Sequence, residues 1–187
     1  MMNTTTPPSL GKLLDIEHVY ASLMLQIAKL LARKPGLCVI GIHSGGAWVA
    51  ERLHRDLHIS TPLGTLSSAF HRDDYNRRGL PAEMKSTVLP FDAAGAHVLL
   101  VDDILFTGRT VRAALNELFD YGRPASVELA VLLDRGGREL PIEAKYCGAK
   151  HPLASDMNFV LERSVDQHFV LSLASVQIET NPSPGAH

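Results

Sequence analysis

At 187 residues the chain has the length of one domain, and folding at this size buries roughly 70% of the unfolded chain's surface, so a core forms without disulfide or metal staples. Its 18 basic and 20 acidic residues leave a net charge of −2, which excludes a general field for nucleic acid or an anionic membrane. Cys38 and Cys147 make neither a disulfide framework nor a metal cluster, no run reaches the roughly 18 apolar residues of a membrane span, and the start MMNTTTPPS lacks a signal peptide's charged and apolar regions, so a cytoplasmic protein is expected.

Ile16, Val19, Tyr20, Leu23, Ile27, Leu30 and Leu31 recur at helical spacing, and Pro35-Gly36 stops the pattern, which predicts one core-facing helix. Leu37 to Ile42 reads as a strand, His43 to Gly46 as a tight loop and Ala47 to Leu57 as a second helix. Leu63 to Ala69 reads as another strand. Phe70 to Lys85 is polar and charged, with Gly79 and Pro81 near its end, and a loop of this length in a compact domain carries function or disorder. Val98 to Thr110 follows as VLLVDDILFTGRT, then an amphipathic helix closed by Tyr121-Gly122-Arg123-Pro124, then a strand from Val127 to Leu133. Strands alternating with helices imply an α/β fold with a parallel sheet. After Asp134 the pattern breaks into short pieces, with FVLE and HFVLSL as late strands that would make a small lobe over the site. Residues 13–178 form the expected domain. Residues 1–12 and 179–187 read as frayed tails.

The tract VLLVDDILFTGRT is the chemical centre of the sequence. Its apolar run fits a buried parallel strand, whose end delivers Asp102 and Asp103 to the carboxyl edge, where open α/β sheets bind ligands. Thr107, Gly108, Arg109 and Thr110 then lead into a helix whose first N–H groups lack intrahelical partners and whose dipole favours an anion. Carboxylates for ribose hydroxyls therefore stand beside amides for a phosphate, which is a site for a sugar phosphate. Other readings fit less well. A receiver domain opens on such a strand, whereas about half of this chain precedes it. No G-x-G-x-x-G or G-x-x-x-x-G-K-[ST] pattern occurs. His54-Arg55-Asp56-Leu57 lacks the asparagine of a kinase catalytic loop, Thr61 standing in its place. His54 and His58 lack a third zinc ligand nearby, and Trp48 reads as core or pocket wall.

The same tract resembles the signature with which type I phosphoribosyltransferases bind 5-phosphoribosyl pyrophosphate (PRPP). Extended through YGRP and LAVLLDRGGRELPI to Ile142, it resembles the PyrR family of bifunctional pyrimidine-operon regulators and uracil phosphoribosyltransferases, over about Ile16 to Ser175. The resemblance implies a five-stranded parallel sheet with helices on both faces and a small hood. It also implies the joining of uracil to PRPP with Mg2+, giving UMP and pyrophosphate in pyrimidine salvage. By resemblance Asp102 and Asp103 engage the ribose hydroxyls, directly or through the water shell of magnesium, a hard ion that retains waters. Thr107 to Thr110 cradle the 5′-phosphate. Ser44, Gly45 and Gly46 match the pyrophosphate loop, although the family commonly carries Thr-Arg-Gly there. Arg72, within His71-Arg72-Asp73-Asp74 and followed by Arg77-Arg78, matches a closing lid. Asp134 and Arg135, with Tyr146 and Cys147 as hood residues, are the expected base contacts. Phe106 stands where purine enzymes often carry an aspartate, which favours a pyrimidine. A homo-oligomer is implied by resemblance alone.

Two further roles belong to other classes. The family's RNA-binding activity needs a basic face, yet the RELPI region shows Gly137, Glu143 and Ala149, with Arg138 and Lys150 nearby, and the first helix is poor in exposed base. RNA binding is therefore disfavoured. A non-catalytic nucleotide sensor has the missing pyrophosphate-loop arginine as its support.

Overall fold

The computed structural model describes residues 14–67 and 86–175. In chain order the elements are helix α1 (Ile16–Arg33), strand β1 (Cys38–Ile42), helix α2 (Gly45–Asp56), strands β2 (Gly64–Leu66) and β3 (His97–Leu105), helix α3 (Arg109–Asp120), and strands β4 (Ser126–Asp134), β5 (Tyr146–Lys150), β6 (Met157–Arg163) and β7 (Phe169–Ser175). Asp15 caps α1, its carboxylate accepting from the N–H groups of Glu17 and His18, which supplies orphan donors of the first turn with a partner.

The first five strands form one parallel sheet in the order β2-β1-β3-β4-β5. Its central strands are buried on both faces, which is why the runs CVIGI, VLLV and LAVLL show no alternation. One core layer joins α1 and α2 to Leu99, Val101 and Leu132, and the other joins α3 to Val98, Leu100 and Val131. The five-stranded sheet with helices on both faces is thus as the resemblance implied. The β2 strand is shorter than the expected Leu63 to Ala69, and residues 68–85 lie outside the described residues. Beside β2, Thr65 and Val88 exchange backbone hydrogen bonds of 2.8 and 2.9 Å, so the chain on either side of that segment meets at the carboxyl end of β2.

Strands β6 and β7 pair antiparallel as a separate hairpin, the expected small lobe. Arg52 of α2 moors it. Its guanidinium lies 4.0 Å from the Tyr20 ring centre and 4.9 Å from that of Phe169 on β7, and it grips both Glu17 oxygens. A second mooring runs from Arg163 on β6 to Glu51 at 2.6 Å, with the Arg163 guanidinium 5.3 Å from the Trp48 ring. Trp48 is thereby a half-buried wall of the core.

At the opposite edge of the sheet, Glu128 on β4 accepts from Lys34 at 2.6 Å, from the Tyr146 hydroxyl at 2.6 Å and from Lys145 at 3.1 Å. Burial raises the Glu128 pKa, but these three donors outweigh burial and hold it at about 2, while burial and Glu128 push the Tyr146 hydroxyl up to about 12. A carboxyl depressed in this way adds stability above its unfolded value near 4.5, and that stability is lost as pH falls toward 2. Glu128→Gln should therefore cost about 1–3 kcal/mol at pH 7, discounted for the exposed lysines. Its deficit should shrink steadily between pH 5 and pH 3 in urea unfolding curves, and a deficit independent of pH would remove the charge explanation.

Candidate functional site

Strand β3 is longer than its apolar run, because pairing with β4 continues through Asp102↔Val131, Ile104↔Leu133 and Leu105↔Asp134. Asp102 and Asp103 are therefore residues of the strand itself, not of the loop beyond it. Asp102 is 3% exposed and its Oδ1 accepts from the Asp103 N–H at 3.0 Å.

Both carboxylates lie under the first turn of α2. The loop before that helix is shorter than expected: only His43 and Ser44 turn the chain, through a cis peptide, and Gly45 and Gly46 already belong to the helix. A Cβ on Gly45 would collide with the Asp103 carboxylate. A Cβ on Gly46 would stand 2.5 Å from the Val101 carbonyl oxygen and 2.8 Å from the Asp102 Cα. The two glycines thus bring a helix N-terminus, with its positive dipole end, against two negative charges. Of the three residues matched to a pyrophosphate loop, two are spent on this close approach.

Beyond Leu105 the chain forms the phosphate-type loop. Thr107 Oγ1 accepts from the Arg109 N–H at 3.2 Å, and Gly108, at φ 92°, caps α3 in a left-handed conformation that favours glycine. Thr107, Gly108, Arg109 and Thr110 line one cleft of about 270 Å³ with Asp102 and Asp103, and its far wall is Arg135, Asn158 and Phe159. Neither hood residue was singled out in the sequence.

The tract after β4 braces this loop. Arg138 pairs with Asp134 at 2.6 Å and donates to the carbonyl oxygens of Phe106 at 2.6 Å, Leu105 at 3.3 Å and Ile142 at 3.0 Å. The Glu139 and Leu140 N–H groups both donate to the Thr107 carbonyl at 3.1 Å, and Arg109 pairs with Glu139 at 2.8 Å. Asp134 is buried and held by this brace and by the Gly136 N–H at 2.9 Å, so its carboxylate is turned to Arg138 and not to the cleft. Arg135 does reach the cleft wall. It is 2% exposed, its guanidinium lies 3.8 Å from the Phe106 ring centre, and burial lowers its pKa.

Tyr146 and Cys147 correct an expectation. They lie in the edge strand β5, paired with Ala130 and Val131, and not in the hood. Tyr146 is committed to Glu128, and the Cys147 backbone is held by the Gln26 side chain, with 2.8 Å from the Gln26 amide to the Cys147 carbonyl oxygen. Neither lines the cleft. Arg72, with His71, Asp73, Asp74, Arg77 and Arg78, lies outside the described residues.

The acid pair and the loop amides suit a sugar phosphate carrying a hard cation. No group of three or more His, Cys, Asp or Glu side chains able to hold a metal occurs among the described residues. Two carboxylates alone fit a magnesium ion whose other ligands are water and substrate oxygens. No described helix is long and apolar enough to cross a membrane.

A family model described as phosphoribosyl transferase domain matches residues 9–167. The chain is 51% identical over 152 residues to the bifunctional protein PyrR of Ralstonia nicotianae, covering 80% of this chain and 87% of that one. It is 50% identical over 155 residues to the bifunctional protein PyrR of Nitrosococcus oceani, covering 82% and 86%. A hypoxanthine-guanine phosphoribosyltransferase of Bacillus anthracis shares the fold, with a TM-score of 0.58 at 20% identity over 74% of this chain and 79% of that one.

The glycine contacts make a graded test. Gly46→Ala meets backbone that cannot yield, so overpacking of about 1–3 kcal/mol should exceed the gain in helix propensity of about 1 kcal/mol. Gly45→Ala meets a carboxylate that can swing away, so its thermal midpoint should fall less while ligand binding suffers. Differential scanning calorimetry on both variants checks the order, and a more stable Gly46→Ala would contradict the contact.

Proposed function

The chain belongs to the phosphoribosyl transferase domain family and to its PyrR members, and from that premise we propose that it is a uracil phosphoribosyltransferase of pyrimidine salvage. It joins uracil to PRPP, forming the bond from base N1 to the ribose anomeric carbon, breaking the bond to pyrophosphate, and yielding UMP. The observation that carries this reading is that Asp102 and Asp103 line the same cleft as the loop Thr107–Thr110.

Loss of pyrophosphate leaves positive charge on the ribose. Asp102 and Asp103 hold its 2′ and 3′ hydroxyls and stabilise that charge. Thr107, Gly108, Arg109 and Thr110 take the 5′-phosphate through hydroxyls and N–H groups, which fixes the reacting carbon. Asp102 and Asp103, through water or the ribose, would hold a magnesium ion, which would supply countercharge for the pyrophosphate. Backbone N–H groups at Ser44, Gly45 and Gly46 remain the proposed contacts to the leaving group from the chain's own side, with Arg72 as closing cation. Arg135 is the proposed base contact. Among the described residues the cleft offers no acid or imidazole besides the aspartate pair, so the uracil N1 proton passes to the departing pyrophosphate or to water. A cytoplasmic homo-oligomer completes the proposal.

Asp103→Asn should fold normally and lose roughly 10²–10³-fold in turnover, or about 3–4 kcal/mol of transition-state stabilisation. The check is radiolabelled-base turnover with PRPP and magnesium, run across uracil, cytosine, orotate, hypoxanthine and xanthine. A wild-type preference for a purine defeats the substrate reading. A near-normal rate for the variant defeats the site assignment, and wild-type nucleotide binding without turnover favours a non-catalytic sensor.

The relatives' name, bifunctional, leaves room for a second reading, an RNA-binding regulator of the pyrimidine operon that senses UMP and PRPP. Against it stand Gly137, Glu143 and Ala149 in the RELPI region. Arg138 is turned inward to Asp134 and loop carbonyls, and Lys150 lies 3.8 Å from Glu143. Affinity for a pyrimidine-operon leader hairpin should therefore be weak and little better than for an unrelated hairpin. Filter binding at two salt concentrations, with and without UMP, measures this. Tight, selective, UMP-enhanced binding whose logarithm falls with log salt would establish the regulator.

A further inference from the structure

With the phosphate assigned to Thr107–Thr110 and the ribose to Asp102 and Asp103, the rest of the cleft's lining is apolar except for the wall of Arg135 and Asn158, and this is where a base finds side chains to hydrogen-bond. The polar chemistry of that wall is unusual in one respect. Arg135 is fixed on three sides: it stacks on Phe106, its Nη2 donates to the Ala154 carbonyl at 3.3 Å, and its Nη1 donates to the carbonyl oxygen of the Asn158 side chain. An asparagine alone can flip its amide and greet either a donor or an acceptor. Asn158 cannot, because a flipped amide would set its NH2 against a guanidinium that only donates. Its oxygen is therefore committed, and no described group accepts from its nitrogen.

We infer that Asn158, oriented by Arg135, is the residue that selects uracil over cytosine, its amide NH2 donating to the carbonyl oxygen at C4 of the pyrimidine. Uracil presents an acceptor at that position. Cytosine presents an amino group, so two donors would face each other and neither would be paired by the other. A site built to hydrogen-bond one group rejects the analogue lacking it far more strongly than an apolar pocket does. This inference rests on the uracil phosphoribosyltransferase reading, and it adds to that reading a residue of the hood.

Asn158→Asp keeps an acceptor for Arg135 but has no donor, and Asn158→Leu has neither. For Asn158→Asp, kcat/KM for uracil should fall about 10–100-fold, the KM for PRPP should stay within about twofold, and the uracil-to-cytosine ratio should fall about tenfold or more. Asn158→Leu should lose uracil without gaining cytosine. Titration calorimetry of UMP and CMP should show the same change in ratio without any turnover. Unchanged base and nucleotide ratios in both variants would overturn the inference, as would equal losses for uracil and PRPP, which mark a merely structural role. If the wild type turns over no uracil, the functional reading falls, while the UMP-to-CMP ratio in wild type and Asn158→Asp still decides the role of Asn158. Binding of neither nucleotide by the wild type would overturn both.

Discussion

Asp102 and Asp103 can sit side by side in a nearly dry strand only because a helix begins directly above them without side chains in the way. Two adjacent carboxylates repel, and removing them from water adds to the cost. The partial positive charge at the start of α2 offsets part of it, with a contribution of about 0.3–2 kcal/mol in partly buried geometry. The Asp103 N–H donating to Asp102 adds a further share. Gly45 and Gly46 are the condition for both, since a Cβ at Gly46 would press on the backbone of β3 and a Cβ at Gly45 would displace the Asp103 carboxylate. The geometry that gathers the two carboxylates at the start of α2 is the one that the proposed ribose and cation contacts use.

A second constraint acts on the other side of the cleft. A phosphate-binding loop must hold its N–H groups in place before the ligand arrives, or ordering it would consume binding energy. Arg138, Glu139 and Leu140 do this by occupying the carbonyl oxygens of Leu105, Phe106 and Thr107 and by pairing with Arg109. The RELPI tract is thereby an internal brace with an exposed back, and its basic residue faces inward. A tract that reads as surface charge in one dimension is half committed to the loop in three.

Much of this was legible in the sequence because the signals were local. The period of Ile16 to Leu31, the apolar runs of β1, β3 and β4, and the aspartates followed by Thr-Gly-Arg-Thr each specify an element within a dozen residues. What escaped depends on distance along the chain. Tyr146 and Cys147 are expected in the hood by resemblance alone, and nothing local in YCGAK corrects that. Only its pairing with β4, and the close approach of Val19 on α1 to Gly148, make it an edge strand. Asn158 and Phe159 carry no motif at all. They reach the cleft because a hairpin folds back across about 50 residues, and strand periodicity reports which face is apolar without saying what lies opposite. The length of β3 was missed for a related reason: aspartates look like the end of a strand, yet backbone pairing to β4 does not depend on the side chain.

Helix α2 connects these constraints. Its first turn seats the acid pair, and its middle holds Arg163 of the hood through Glu51 and Trp48 and Phe169 through the adjacent Arg52. The hairpin that supplies Asn158 and Phe159 and the acid pair, the proposed base and ribose sides of the cleft, therefore share one rigid mount only 12 residues long. Because a helix rises about 1.5 Å per residue, the offset from Gly45 to Arg52 sets the separation between ribose and hood within a narrow range. The hood has no strand in the main sheet to fix it otherwise. Loosening Arg52 would then remove one of the hairpin's two moorings to α2 while leaving the acid pair seated, so the proposed recognition of the base and support of the ribose are separable in this fold although one helix serves both.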